Sequence, residues 1–356
     1  SAPSATGGSG GKSKRPTPED QPGAGAGGSD DGTSDSSDSG DSGNGSDGAD
    51  DGAGGSGEGG EGSGGRCPRG AEPTTLTDLN LVRTPRRLGS STFESCAVMI
   101  DGHVECWGVW SSWNSESEFT QVPSGPLTEV SMGNQTACGL RFDGSVECWG
   151  YTFQQAPVPT GRYAAIVDNT WHRCALDFNG AIECWDWEGT YFTDVVSSQT
   201  GPFVDLATGS SSVCGLRTNG TIECWGYNNF CQASPPRGQF TEISMAFENG
   251  CGIGTDGTLA CWGSGYRTFD GEPIDPPSGT FVQVVAGGNH ACAIRTDGTV
   301  ACWGYSCCGQ TNPPPGQFTE VSAAFGTNFS CGRRPNGTIE CWGYPEYGQT
   351  SPPTTP

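Results

Sequence analysis

One short pattern occurs seven times in this chain of 356 residues and constrains its fold more than any other feature. Each copy begins with a cysteine, passes through Asp-Gly or Asn-Gly, and reaches a Cys-Trp pair whose cysteine lies ten positions after the first. Successive copies start 36 to 42 residues apart. They occupy residues 96–108, 138–150, 174–186, 214–226, 251–263, 292–304 and 331–343.

The second copy shows what such a unit does physically. Asp143-Gly144 between two short runs of alternating polarity predicts a β-hairpin. With a three-residue loop and Gly144 in the left-handed conformation, Cys138 lies opposite Cys148 on a pair where the two Cα atoms come close. A disulfide fits that separation, whereas a two-residue loop would point the two sulfurs to opposite faces. We therefore predict the bridges Cys96–Cys106, Cys138–Cys148, Cys174–Cys184, Cys214–Cys224, Cys251–Cys261, Cys292–Cys302 and Cys331–Cys341.

A single hairpin cannot bury either of its faces, so the copies must pack against one another. A further strand is predicted upstream of the hairpins, for example at 127–130 and 240–243, and a fourth, edge strand is expected in the segment after Trp-Gly. Four strands in about 40 residues, repeated seven times, favour an all-β fold, a seven-bladed β-propeller.

The chain divides into three parts by composition. Residues 1–66 contain no aromatic residue, Leu, Ile or Val and are rich in Gly, Ser and Asp, which predicts a disordered acidic linker. Residues 67–83 form a neck in which 76–82 alternates like a strand; it either flanks the first blade or closes the ring against the last. The propeller is assigned to 84–356.

Eighteen cysteines without a Cys-x-x-Cys motif indicate disulfides and an oxidising compartment, with structural zinc as the weaker alternative. No metal and no cofactor are expected. Cys67, Cys231, Cys307 and Cys308 lie outside the repeats, and their pairing stays open. Cys307 and Cys308 either join each other or reach elsewhere, for instance to Cys67, which would staple the neck to the propeller.

The net charge is −23, and the only lysines are Lys12 and Lys14 in the linker. An acidic propeller is a poor ligand for nucleic acid or an anionic membrane. No run of 18 apolar residues predicts a membrane span. The sequence begins at Ser1, from which we expect a removed leader and hypothesise a lost N-terminal lipid anchor.

The repeats resemble those of the regulator-of-chromosome-condensation family, whose His, Ala-Leu, Asp-Gly, Val and Trp-Gly pattern is met by His290, 293–294, 297–298, Val300 and 303–304. The cysteine-bridged form is similar to the Crinkly-type ectodomain repeat of plant receptor kinases and to repeats in secreted or lipid-anchored bacterial proteins. The resemblance covers roughly 84–352 and implies a seven-bladed propeller. It implies no single function, because the family includes an exchange factor, a β-lactamase inhibitor and receptor ectodomains.

Candidate binding residues are aromatic side chains in the connections between repeats, where no repeat position requires them. Exposed loop aromatics can anchor a protein or stack on a sugar, although local packing is the competing interpretation. The repeat tryptophans and the histidines His172 and His290 are interpreted as structural. The candidates are Trp110, Trp113, Trp187, Tyr191, Phe192, Phe230, Tyr266 and Phe269.

These observations predict a secreted or cell-surface or outer-membrane tethered binding module, a monomer, that recognises a protein or glycan through loops on one face of the propeller. The alternative is a proteinaceous inhibitor of a secreted enzyme. A hydrolase or lyase is the third hypothesis, disfavoured because no nucleophile–base pair or metal cluster stands out, and no catalytic residue is assigned.

Overall fold

The computed structural model describes residues 67, 79, 81–108, 122–133, 136–150, 158, 160–169, 172–186, 199–267 and 273–353. All of them lie in one compact unit, Glu61–Pro356. The predicted linker over 1–66 and most of the predicted neck lie outside the described residues.

The described strands form seven three-stranded antiparallel sheets, one for each repeat, and every sheet is made of three strands that are consecutive in sequence. The predicted all-β, seven-bladed propeller is confirmed. The strands of the blades are β1 (Leu88–Ser90), β2 (Glu94–Val98), β3 (Val104–Gly108); β4 (Glu129–Met132), β5 (Thr136–Leu140), β6 (Val146–Gly150); β7 (Tyr163–Asp168), β8 (His172–Asp177), β9 (Ile182–Asp186); β10 (Phe203–Thr208), β11 (Ser212–Arg217), β12 (Ile222–Gly226); β13 (Phe240–Ala246), β14 (Asn249–Gly254), β15 (Leu259–Gly263); β18 (Phe281–Ala286), β19 (His290–Arg295), β20 (Val300–Gly304); β21 (Glu320–Ala323), β22 (Phe329–Arg333), β23 (Ile339–Gly343). Two short strands, β16 (Tyr266–Arg267) and β17 (Pro273–Ile274), follow the fifth blade. No helix of membrane-spanning length and apolarity occurs in the described part of the chain.

The hairpin of each blade has the three-residue loop that the spacing predicts. In the second blade Gly144 has a φ of 82°, and its N–H donates to the carbonyl of Arg141 at 2.9 Å. Cys138 therefore lies opposite Cys148, with their Cα atoms 4.0 Å apart. All seven hairpins carry a disulfide at this register position.

The expected fourth strand is reduced to a single bridge in the third blade, where Gln199 pairs with Ile182 of β9, and it is wrong for the connections after β12 and β20. After β12 and β20 the chain makes turns and does not pair with the sheet. These segments contain Pro235-Pro236 and the prolines of 313–315, which lack the N–H that a sheet ladder needs. The connection after β15 does form two strands, but β16 and β17 pair only with each other.

The first strand of a blade carries a β-bulge near its start in four of the blades. In β10 the register shifts between Phe203 and Asp205, and the Phe203 ring is buried. A Cβ atom added to Gly215 on the middle strand would lie 2.6 Å from that ring. The small residue after the repeat cysteine therefore makes room for the large side chain of the first strand.

The hydrophobic core consists of seven clusters, and each cluster lies between two neighbouring blades. Between the fourth and fifth blades, for example, Leu216 packs with Ile243 and Trp262. The cluster between the seventh and first blades is of the same kind and contains Phe329 and Leu88. The ring is therefore closed by side-chain packing between complete blades. The described residues of the predicted closing segment, 81–83, belong to no strand.

Candidate binding faces of the ring

The ring has two distinct faces. The hairpin loops between the second and third strands of the blades lie on one face, which we call the tip face. In the first six blades the carbonyl of the tip glycine accepts a hydrogen bond from the start of the next blade, as Gly144 does from the Tyr163 N–H at 2.8 Å. The opposite face carries the turns between first and second strands and the residues after Trp-Gly; we call it the connection face.

On the connection face Trp107, Trp262 and Trp342 join neighbouring blades by hydrogen bonds as well as by packing. The indole N–H of Trp262 donates to the carbonyl of Gln232 at 2.8 Å, and that of Trp342 donates to the carbonyl of Gln310 at 2.9 Å. Each glutamine belongs to the connection that precedes the tryptophan's blade and is buried. The structural interpretation of these tryptophans is confirmed.

The same contact operates where the two ends of the ring meet. The Trp107 indole of the first blade donates to the carbonyl of Gln349, which follows the seventh blade, at 2.9 Å. The side-chain oxygen of each such glutamine folds back to its own turn, as Gln349 Oε1 accepts from the Tyr347 N–H at 2.7 Å. A Gly-Gln or Cys-Gln turn thus presents a fixed acceptor to the next blade.

The two repeat histidines are buried among the blades, as interpreted from the sequence. His290 Nε2 lies 2.8 Å from Ser330 Oγ of the next blade. His172 lies 3.2 Å, through Nε2, from Asn169 Nδ2, whose amide also donates to the Gly209 carbonyl at 2.6 Å. Burial lowers the pKa of both imidazoles to about 4. Both rings are therefore neutral structural groups at physiological pH.

Of the eight predicted binding aromatics, only Phe230 has a described side chain. It is 44% exposed and lies on the connection face, where its ring centroid is 6.2 Å from that of Tyr227. Tyr266 is placed in β16 by its backbone alone. Their role in binding stays a prediction. Outside the described residues lie Trp110, Trp113, Trp187, Tyr191, Phe192 and Phe269.

The four cysteines outside the repeats form two bridges. Cys307 and Cys308 are joined to each other on the connection face. Cys67 is joined to Cys231, which follows the fourth blade, across 164 residues of sequence. This second bridge attaches the start of the neck to the outside of the ring, opposite the closure between the first and seventh blades.

The described residues at the end of the neck lie on the tip face, at the mouth of the central channel. The Leu79 side chain lies against the hairpin tip at Gly220, and Leu81 packs on the core between the fourth and fifth blades. The chain then enters β1 in the first blade. Leu79 and residues 81–83 belong to no strand, and the two positions expected for the neck stay predictions.

Two arginines, Arg83 at the end of the neck and Arg86 just after it, form ion pairs at the channel mouth. Arg83 binds the carboxylate of Glu129 with two hydrogen bonds of 2.5 Å and that of Asp205 with one of 2.7 Å. Arg86 reaches Asp205 at 3.2 Å and the Ile243 carbonyl at 3.0 Å. Burial acts to lower the pKa of Arg83, but the two carboxylates hold it above its ordinary value. The arginine therefore stays charged within the mouth.

The carboxylates at the mouth occupy one equivalent position of the first strands. Each pairs, across the sheet, with the residue two positions after the first repeat cysteine of its own blade. That residue is hydrophobic, except in the seventh blade, where it is an arginine. Glu320 accepts the backbone N–H of Leu88 in the next blade at 2.9 Å, and burial raises its pKa. In the sixth blade Gln283 makes the corresponding contact with the Val321 N–H at 2.8 Å. The position therefore joins neighbouring blades. Its acidic members are Glu129, Asp205, Glu242 and Glu320.

Among the residues that the structure describes, most exposed large apolar side chains lie on the tip face. Ile100, Phe142 and Phe178 are 74%, 79% and 67% exposed and occupy the same loop position in three consecutive blades. The fourth to sixth blades have threonine at that position. Sequence analysis treated all seven hairpins as scaffold and missed this difference, although the residue before each Asp-Gly or Asn-Gly carries the signal.

Three kinds of comparison place this architecture among known proteins. The sequence model of the regulator of chromosome condensation (RCC1) repeat matches residues 281–310. The search of curated proteins finds no match. Several solved structures share the fold.

The CRINKLY WD40 ectodomain of the receptor kinase ACR4 from Arabidopsis thaliana is 22% identical, with a TM-score of 0.58 over 72% of this chain and 95% of that chain. The ectodomain of the receptor kinase CR4 from Physcomitrella patens is 26% identical, with a TM-score of 0.58 over 72% of each chain. Prp20p from Saccharomyces cerevisiae is 16% identical, with a TM-score of 0.56 over 76% of this chain and 84% of that chain.

The repeat match falls on the sixth blade, and the similar structures extend the likeness to the whole ring. The chain is thus a seven-bladed propeller whose sixth repeat matches the regulator-of-chromosome-condensation model and whose fold is shared with these structures, with a disulfide bond in each blade.

Proposed function

We propose that this protein is a binding module for another protein, that it works in an oxidising compartment outside the cytosol, and that it is held at a surface through its N-terminal region. Nine disulfides support the choice of compartment, because such bonds persist only where thiols are not kept reduced. The bound protein is recognised mainly on the tip face.

The observation that carries this proposal is the row formed by Ile100, Phe142 and Phe178 on neighbouring hairpin tips. Single exposed apolar residues are ordinary on a protein surface. Three large ones occupy equivalent positions of adjacent blades, and the Phe178 ring reaches the neighbouring tip at Gly144; grouped exposed apolar residues of this kind mark interaction sites. The disulfide in each hairpin keeps the three tips fixed, so little conformational freedom is lost on binding.

The similar structures support an interaction role. Two of them are ectodomains of receptor kinases, and the structure of Prp20p is described together with its binding to Gsp1p and histones. None of these partners is assigned to this chain, because a shared fold at such identities leaves the ligand open.

The predicted connection aromatics are a second part of the same proposal. Phe230 and Tyr227 are each 44% exposed and form a small aromatic surface on the connection face. A ligand that uses both faces would have to reach around the edge of the ring. If the ligand uses only one face, mutations on the other face should leave its binding unchanged.

Affinity capture with two matched double variants tests the proposal. Phe142→Ser with Phe178→Ser changes the tip face, and Tyr227→Ser with Phe230→Ser makes the same kind of change on the connection face. Each protein is immobilised and exposed to secreted and surface proteins of its native source, and bound proteins are quantified. We expect a protein that the native chain and the connection-face variant retain and the tip-face variant loses at least tenfold.

If only the connection-face variant lost the captured protein, the binding site would be assigned to the predicted loop aromatics instead. Equal retention by all three proteins would remove the tip-face proposal. The inhibitor hypothesis is checked on the same material by asking whether the captured protein is an enzyme whose activity falls when the native chain is added. A glycan array probed with the same variants checks the glycan alternative, and mass spectrometry of the native N-terminus checks the proposed anchor.

A further inference from the structure

A cavity of about 710 Å³ lies at the channel mouth on the tip face. One wall comes from residues 81–87, and the others come from the first strands of the fourth to seventh blades and from the tip of the first. We call it the mouth cavity. Its volume is in the range of cavities that hold small ligands, so it has room for a single side chain of a partner.

Four guanidinium groups line the mouth cavity, and three of them are paired with carboxylates. The pairs are Arg83 with Glu129 and Asp205, Arg86 with Asp205, and Arg333 with Glu320. The fourth group belongs to Arg87, which is exposed and has no ion pair with a carboxylate in the part of the chain that the structure describes. Its charge is therefore available to a ligand.

Arg87 occupies, in the first blade, the position that carries carboxylates in four other blades. Its carbonyl accepts the N–H of Val98, which lies two positions after the first repeat cysteine, at 2.8 Å. Glu129 has the same register against Leu140 in the second blade. The ring of side chains around the mouth thus contains one cation where its equivalents are acids.

The remaining carboxyl group of the cavity does not cancel this charge. Glu242 receives a hydrogen bond from the backbone of Val284, and burial raises its pKa to about 8 although Arg86 acts to lower it. At neutral pH Glu242 is therefore mostly uncharged, as is Gln283 at the same position of the next blade. The four guanidinium groups then face three paired carboxylates, which leaves one positive charge at the mouth.

The rim of the mouth cavity is apolar and adjoins the row of exposed tips. Val82, Ile100 and Val282 line the cavity and are 91%, 74% and 60% exposed. Ile100 is also the first member of the row that continues with Phe142 and Phe178, so a protein that covers the row reaches the cavity. A carboxylate matches the single surplus charge, whereas a phosphate group would bring further negative charge without a counterpart.

We propose that the mouth cavity receives an aspartate or glutamate side chain of the bound protein, flanked by apolar residues, with Arg87 as its counter-charge. The flanking residues cover Val82, Ile100 and Val282. An arginine can bind a carboxylate by two charge-assisted hydrogen bonds, which an amide of the same shape cannot replace. This inference rests on the proposed tip-face binding and specifies the chemistry of the partner.

Short labelled peptides test this directly with the full chain. The first probe has the sequence leucine–glutamate–leucine with blocked ends, and the others have glutamine, lysine or phosphoserine in place of glutamate. Glutamine keeps the shape and removes the charge. The net charge of −23 repels an acidic probe at long range, so binding is measured at about 0.15 M salt, where the Debye length is about 8 Å. We expect the glutamate peptide to bind at least tenfold more tightly than the glutamine peptide in fluorescence polarisation at pH 7.

The variant Arg87→Gln should abolish that preference, and Arg87→Lys, which keeps the charge, should restore part of it. Arg162→Gln is the matched control, because Arg162 is 63% exposed in its side chain, lies near the tip at Asp143 and does not line the cavity. It makes the same change in net charge and should keep the tenfold preference. Thermal unfolding of each variant is followed in parallel. Arg87→Gln should keep the native melting temperature, since it breaks no ion pair.

Equal binding of the glutamate and glutamine peptides, tighter binding of the lysine or phosphoserine peptide, or no binding of any probe would overturn the inference. So would a preference that survives Arg87→Gln or is lost in Arg162→Gln. These outcomes are separate from a failure of the proposed function. A protein captured through Phe142 and Phe178 that Arg87→Gln retains as well as the native chain does would preserve tip-face binding and remove only the role of Arg87.

Discussion

The two faces of the propeller use their side chains in opposite ways. On the connection face the repeated polar groups are turned inward, and the indoles of Trp107, Trp262 and Trp342 donate to buried backbone carbonyls. On the tip face the polar groups are buried under the neck, whereas large apolar groups such as Phe142 and Phe178 face solvent. The connection-face contacts hold the ring together, which leaves the hairpin tips free to differ among the blades.

The largest loss of stability is expected when a buried charge on the tip face is removed. Arg83→Ala leaves the carboxylates of Glu129 and Asp205 buried without their cation. Because an uncompensated buried charge is costly, we expect the free energy of unfolding to fall by about 3–5 kcal/mol. Chemical denaturation measures the loss, and amide hydrogen exchange shows whether the neck detaches first.

Arg334→Ala on the same face is the matched control for Arg83→Ala. Its partner Glu340 is 44% exposed in its side chain, so the loss should stay below about 1 kcal/mol. Adding Glu129→Gln to Arg83→Ala should restore part of the stability. Similar losses of unfolding free energy for Arg83→Ala and Arg334→Ala would mean that the ion pairs of Arg83 are more exposed to water than the contacts indicate.

The next largest effect is a loss of stability at low pH, caused by two buried histidines. Burial holds the pKa of His172 and His290 at about 4, against an ordinary value of 6.5 in the unfolded chain. Below pH 6.5 the unfolded state binds protons that the folded state does not, so stability is lost as the pH falls from 6.5 towards 4. The loss is at most about 3 kcal/mol for each histidine. Denaturant unfolding at several pH values measures it.

His290→Gln supplies the control for this pH dependence, because it removes one titrating imidazole and can keep a hydrogen bond to Ser330. The variant should lose less stability than the native protein between pH 6.5 and 4. An unchanged slope would show that His290 is not responsible and that carboxylates dominate the acid response.

A smaller effect is expected from a single connection-face hydrogen bond. Trp107→Phe removes the indole N–H and leaves the Gln349 carbonyl without that donor, at a cost of roughly 1–3 kcal/mol. Trp262→Phe makes the same change at an interface inside the ring. Equal losses in thermal unfolding would show that the closure is as strong as the other interfaces, and a much larger loss for Trp107 would identify the closure as the weak point.

The smallest effect on stability is expected at the exposed tips. Phe142→Ser changes a side chain that is 79% exposed, so the free energy of unfolding should change by no more than about 0.5 kcal/mol. Calorimetry measures it beside the binding assay. A loss above 1 kcal/mol would show that Phe142 supports the hairpin and would weaken its assignment to binding.

The regular part of this molecule follows from the sequence because it depends on local chemistry. The loop at Gly144 fixes the hairpin register, and the register brings Cys138 opposite Cys148. The number of repeats gives the number of blades, since each unit buries its faces only against its neighbours. The structural role of His290 was expected from the resemblance to the repeat family, and that of the repeat tryptophans from their equivalent positions in the seven copies.

The fourth, edge strand was expected because the segments after Trp-Gly often end in Pro-Pro, which edge strands tolerate, but at 235–236 and 313–315 the chain turns without pairing. The structural contribution of the connections lies elsewhere, in the carbonyls of Gln232, Gln310 and Gln349. The glutamines themselves are visible in the sequence. Their acceptor role is not, because the indole that each one meets belongs to the next blade.

What only the tertiary structure decided is the path of the neck and the site at the channel mouth. The pairing of Cys67 with Cys231 and of Arg83 with Glu129 and Asp205 joins residues far apart in sequence, and no local pattern encodes such distances. By itself the sequence determined the repeating blade, because a hairpin's register is set within ten residues. The meeting of seven first strands around one neck depends on closure of the whole ring, and only there do Glu242 and its neighbours acquire their charge balance and burial.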